Sequence, residues 1–152
     1  MLKTLLFLFS LNISYMAIAQ VYPYRDIKLE KPSDYTETEP MALSAATFLI
    51  TKPFIEVDMD RSSALFFLNN WMLGNNKYTF YLKGIVEIIR EDNNLLSLFI
   101  AAMAKYTLEH KAEAANPINV DMNAAKMVLA YSDDPKNNFK LKKKYRKILE
   151  KN

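Results

Sequence analysis

Apolar residues recur at helical spacing through most of this chain, and at strand spacing almost nowhere. Ala64, Phe67, Leu68, Trp71 and Met72 stand at i, i+3, i+4, i+7 and i+8, one face of a helix. Asp58 or Asp60 can cap its start, and Gly74 lies past its end as a C-cap. Tyr78, Tyr81, Leu82, Ile85, Val86 and Ile89 form the cleanest stripe, with Lys83, Glu87, Arg90 and Glu91 opposite. That pattern predicts another helix over residues 78–89. Its opening, KYTFYL, also fits a strand near Tyr78 to Leu82, as does the stretch near Phe54 to Val57.

Other segments complete the pattern. Pro40 suits the first turn of an Ala-rich helix over residues 41–50, which Lys52-Pro53 ends. Residues 93–104 carry no charge, and from Leu95 to Ala104 only Ser97 breaks an apolar run. A helix apolar on every face lies in a core or a bilayer. Twelve residues reach about 18 Å, short of the roughly 30 Å hydrocarbon layer, so this is a central core helix over residues 93–113. Asn93 or Asn94 is its expected cap. A further helix is expected over residues 121–131, built on Met122, Ala125, Met127, Val128 and Leu129. Asp134 then caps a restart at Pro135, and Leu141, Tyr145, Ile148 and Leu149 stripe a last helix over residues 136–152. No repeat of 20 to 50 residues is present.

The first nineteen residues read as a leader and not as part of the fold. Lys3, an apolar run from Leu5 to Phe9 and the small residues Ala17 to Ala19 match the three parts of a secretory signal peptide. Asn12 and Ser14 interrupt the run, against a membrane span. Residues 20–39 are polar and aperiodic, an extended arm with Tyr22, Tyr24 and Tyr35 expected across the domain surface. The expectation is a single all-α domain of five to six helices, residues 40–152, around a buried central helix. The setting is exported, periplasmic or secreted in a bacterium, with no transmembrane segment in the mature chain. Only two glycines, against an average near 7%, agree with a helical chain poor in tight turns.

Composition excludes several chemistries. With no cysteine there is no disulfide, thiolate nucleophile or lipid-anchoring thiol. His110 is the sole histidine, so a triad base is scarce and no G-x-S-x-G is present. His110 and Glu113 at i, i+3 supply two of the three ligands a catalytic zinc needs, and a helix-terminal histidine explains the residue better. DMDRSS opens like a calcium loop, but Ser63 and Asn69 stand where Gly and Glu are required. The pairs Glu87 with Glu91 and Asp133 with Asp134 read as a solvated face and a cap. No phosphate loop is present. No cofactor and no metal are indicated, and no reaction is specified.

Two surfaces stand out. Residues 136–152 hold eight Lys or Arg against one Glu150, a net of +7, while residues 20–135 carry −5. Lys140, Lys142, Lys143, Lys144, Arg146 and Lys147 are therefore candidate contacts for an anionic surface, or for the acidic body of the same domain. Nucleic acid is not expected as a partner of an exported protein. Phe66, Phe67, Trp71, Tyr78, Phe80 and Tyr81 cluster in residues 66–81. Phe67, Trp71, Tyr78 and Tyr81 are candidates to line a pocket for an apolar small molecule or lipid. The first reading is a non-enzymatic interaction or structural protein at the cell envelope; the pocket is the alternative.

Overall fold

The computed structural model describes residues 24–151. The leader and Tyr22 lie outside them. Seven α-helices and no strand occur among the described residues: α1 (Pro32–Glu37), α2 (Glu39–Thr51), α3 (Met59–Gly74), α4 (Ile85–Ile89), α5 (Asn93–Glu109), α6 (Pro117–Asp133) and α7 (Lys143–Leu149). No helix among them is long and apolar enough to cross a membrane.

α5 is the central helix, and its apolar sides face two separate clusters. Leu95, Leu98, Phe99, Ala102, Met103 and Tyr106 join α4, α6 and α7 in one. Ala101, Ala104 and Leu108 join α2, α3 and Tyr24 in the other. The small side chains suit the second contact, where Ala42, Ala45, Ala46 and Ala64 of α2 and α3 belong to the same buried cluster. Neither stretch proposed as a strand forms one.

Capping explains several boundaries. The Asp58 carboxylate accepts from the backbone N–H of Asp60 at 2.8 Å and of Arg61 at 3.1 Å, so it caps α3. The cap of α5 lies one residue before the expected asparagines: it is Asp92, accepting from Leu95 N–H at 3.2 Å. α6 starts at Pro117, four residues earlier than its apolar set implies, because Asn116 caps it through the N–H groups of Ile118 and Asn119. The end of α2 is closed from two sides. Arg61, buried, donates to Leu49 O at 2.9 Å and Lys52 O at 3.3 Å. Tyr131 donates to the same Lys52 carbonyl at 2.7 Å.

Further expectations need correction. The central helix, expected over residues 93–113, ends at Glu109, where His110 is its C-cap and its N–H donates to Tyr106 O. The helix expected over residues 78–89 is confined to Ile85–Ile89. Gly84 adopts φ +63°, a left-handed conformation, and the Asn75 side chain accepts from the N–H groups of Lys77 and Tyr78 to hold a turn. The last helix is also shorter. Pro135–Asn137 forms a single 3-10 turn capped by Asp134, and Asn138 at φ +50° leads the chain out of it. Asn137 is pinned by donating to Tyr131 O at 2.9 Å, and Phe54 N–H donates to its carbonyl at 2.7 Å. Finally, Tyr24 is not on the surface. It is buried, stacked on Phe67 with ring centroids 5.5 Å apart. The arm around it is irregular from Ile27 to Lys31 and includes the short helix α1.

Candidate ligand groove and basic surface

The turn that replaces the expected helix opens a groove. Asn69, Met72 and Leu73 of α3, Ile100 of α5 and the irregular Asn75, Asn76, Tyr78, Thr79, Phe80 and Leu82 enclose a volume of 490 Å³. Ligand pockets commonly occupy about 300–1,000 Å³. None of the ten lining residues is charged. The apolar walls come from Met72, Leu73, Phe80, Leu82 and Ile100. The Asn69, Asn76 and Thr79 side chains make no hydrogen bond among the described residues, leaving neutral donors and acceptors at the rim.

Glu39 fixes the wall formed by Tyr78. It accepts from Tyr78 Oη at 3.1 Å and from Lys77 Nζ at 2.9 Å, and it pairs with Lys111 beyond α5. Burial opposes ionisation of Glu39, yet the hydrogen bonds from Lys111, Lys77 and Tyr78 outweigh it and hold the carboxyl below its ordinary range. The first residue of α2 thus ties down both the groove segment and the turn after α5.

The four aromatic candidates do not converge. Tyr78 lines the groove. Trp71 is fully buried behind it, 6.2 Å from the Tyr78 ring and 6.3 Å from the Phe80 ring. Phe67 is buried against Tyr24, and Tyr81 is turned out toward Pro117 and Asp121. Phe80, a member of the 66–81 aromatic cluster, does line the groove, and Ile100 is a lining residue that lay outside that cluster. A helix would carry Phe80 away from Tyr78, whereas the open turn brings both against Trp71.

The basic segment folds back on its own domain. Lys142 donates to Asp92 at 2.7 Å, Lys144 lies 4.0 Å from Glu91, and Arg146 meets Asp133 at 2.5 Å. Burial opposes ionisation of Asp92, but hydrogen bonds from Lys142 and Leu95 N–H win and lower its pKa. Lys140, Lys143 and Lys147 are exposed with no ion pair among the described residues. Tyr145 and Leu149 are buried, with Leu141 and Ile148 packed beside them.

No protein-family model, curated protein or solved structure matches this chain.

His110 is the C-cap of α5, its ring stacked 4.3 Å from that of Tyr106. Glu113 accepts from Tyr106 Oη at 2.6 Å, so the i, i+3 pair meets a tyrosine between them. Among the described residues no three His, Asp or Glu side chains are placed to hold a metal. Asp121 stands out among the described carboxylates. Its Oδ1 is buried with no hydrogen-bond partner, and burial pushes its carboxyl up.

Proposed function

We propose that this protein is an exported, non-enzymatic binding protein whose groove beside Tyr78 and Ile100 takes a small, uncharged, largely apolar molecule. The observation that supports this most is the composition of the lining: apolar walls, a rim of free neutral amides and a hydroxyl, and no charge. A charged ligand would lose its hydration there without a counter-ion. A molecule with an apolar body and a single amide, ester or hydroxyl head meets both parts of the site. Export rests on the leader-like residues 1–19.

The basic segment supports a second reading, contact with an anionic surface through Lys140, Lys143 and Lys147. It ranks below the groove, because Lys142, Lys144 and Arg146 already answer acidic groups of the same domain.

Phenylnaphthylamine, a neutral apolar fluorophore, tests the groove. Saturable fluorescence enhancement is expected, with a change in emission from Trp71, the sole tryptophan, which packs behind Tyr78 and Phe80. Ile100→Trp fills the groove from α5 and Thr79→Trp fills it from the exposed turn. Either should abolish binding with helical circular dichroism retained. No saturable binding by the unaltered protein, or binding indifferent to both substitutions, sinks the proposal.

A further inference from the structure

α3 buries one face and presents a second apolar stripe to solvent. Met59, Phe66 and Leu73 stand seven residues apart on that outer side and are 62%, 65% and 76% exposed. A single exposed leucine means little. Three large apolar side chains at heptad spacing, largely exposed among the described residues and with Arg25 touching the Met59 end, form a seam of the kind that pairs helices. No charged residue occurs between Arg61 and Lys77, so Ser62, Ser63, Asn69 and Asn70 are the stripe's flanks. Interface cores are depleted of charge in the same way. The stripe is also a ridge between two hollows. The ligand groove runs along its Asn69 side, and a hollow of 430 Å³ bordered by Arg25, Ile27, Leu29 and Tyr35 runs along its Asn70 side.

We propose that this ridge is the two-fold interface of a homodimer, with α3 of one copy antiparallel to α3 of the other. The stripe is symmetric about Phe66. Turning a second copy end for end sets Phe66 against its counterpart and each Met59 against the other copy's Leu73. A closed two-fold interface requires such self-complementarity. A second copy fits better than an unrelated partner because the two ends of α3 complement each other. Arg25 sits at the Met59 end, its Nε donating to Ser63 Oγ at 2.9 Å and its Nη2 3.8 Å from Met59 Sδ. The antiparallel arrangement carries it to the other copy's α3 C-terminus. There the carbonyls present the negative end of the helix dipole and no basic residue occupies the last turn. A parallel arrangement would bring Arg25 toward Arg25. The rims of the hollows extend the contact beyond α3's own length of about 24 Å, toward the roughly 800 Å² per partner that a specific interface buries. The inference goes beyond the ligand groove and does not depend on a ligand there: of the three stripe residues only Leu73 borders that groove, and Met59 and Phe66 do not.

Because the chain has no cysteine, a single introduced one reports its own neighbourhood. Under mild oxidation Phe66→Cys should give a disulfide-linked dimer. Met59→Cys and Leu73→Cys should each link poorly alone and efficiently when mixed. Light scattering of the unaltered protein should return twice the chain mass at micromolar concentration. Phe66→Glu, at an exposed position, should keep its thermal melt and weaken association by at least about a hundredfold, because two like charges meet at the axis. A single-chain mass up to millimolar concentration, with no linked Phe66→Cys dimer, overturns the proposal. Strong linkage by Met59→Cys alone and Leu73→Cys alone overturns the antiparallel arrangement. Failure of phenylnaphthylamine to bind would leave all these readings unchanged.

Discussion

The indole nitrogen of Trp71 donates to the backbone carbonyl of Tyr35 at 2.9 Å, joining residues 36 positions apart. Tyr35 is held from the other side as well, because its ring lies where a side chain on Gly74 would stand. The arm is thereby fastened to the C-terminal half of α3, on the flank opposite the ligand groove.

Removing either half of that fastening should loosen the arm. Trp71→Phe leaves the Tyr35 carbonyl without its donor and shrinks a fully buried ring, so a loss of about 2–4 kcal/mol is expected. Gly74→Ala must displace the Tyr35 ring, at about 1–3 kcal/mol. Denaturant melts give both values, and amide exchange at residues 27–38 should rise before global unfolding. Unchanged exchange there would show that the arm is held by other contacts.

Gly84 sets the bend from which α4 starts. At φ +63° a β-carbon is strained, although the nearest atom it would meet, Asp121 Oδ2, is 3.8 Å away. Gly84→Ala should therefore cost about 1–2 kcal/mol through the backbone alone. A stabilised Gly84→Ala variant would mean that residues 75–84 can refold as the helix their stripe describes.

Asp121 gives a pH signature of definite sign. Its folded carboxyl titrates above the ordinary aspartate value. Its contribution to stability is therefore complete below that ordinary value, near pH 4, and is lost as pH rises through the raised one. Asp121→Asn should raise the melting temperature near neutral pH and lose that advantage in acid. A variant that melts lower than the unaltered protein at neutral pH would show that the buried carboxylate has a partner in solution.

Asp92 behaves in the opposite sense. Its lowered carboxyl contributes stability above the ordinary aspartate range and loses it as pH falls through the depressed value. Asp92→Ala removes the α5 cap and Lys142's partner together, an expected loss of about 1–2 kcal/mol. Lys142→Gln should lower the neutral-pH melting temperature slightly, and Lys143→Gln should leave it unchanged. Affinity for anionic vesicles at low salt, lost on replacing Lys140, Lys143 and Lys147 with Gln, would revive the basic surface as a binding site.

Deleting residues 136–152 removes Tyr145 and Leu149 from the core. At about 1.5–3 kcal/mol for each fully buried side chain, the truncated chain should lose about 3–6 kcal/mol. A melt like that of the full chain would show that α7 is dispensable to the fold.

The sequence by itself determined the helical class, the central place of α5 and most of the punctuation. α5 was legible because a helix apolar on every side has only one place to go in a chain this size. Asp58, Pro40, Asp134 and Pro135 act through their own backbone neighbours, so local spacing reveals them. Gly74 does not cap α3 as expected: it is the last residue of the helix, Asn75 is the C-cap, and its missing side chain makes room for the Tyr35 ring. The groove was not legible. Tyr78, Tyr81 and Leu82 keep helical spacing, but Asn75 folds the backbone into a turn and Gly84 takes a left-handed conformation. Glu39, 38 or more residues away, then holds Lys77 and Tyr78 in place. Periodicity records which side chains share a face only where a helix exists. Likewise the basic run was visible as charge alone. Its pairing with Asp92, Glu91 and Asp133 appears only once α5, α6 and α7 are packed, because ion pairs between distant segments depend on positions that tertiary contacts set.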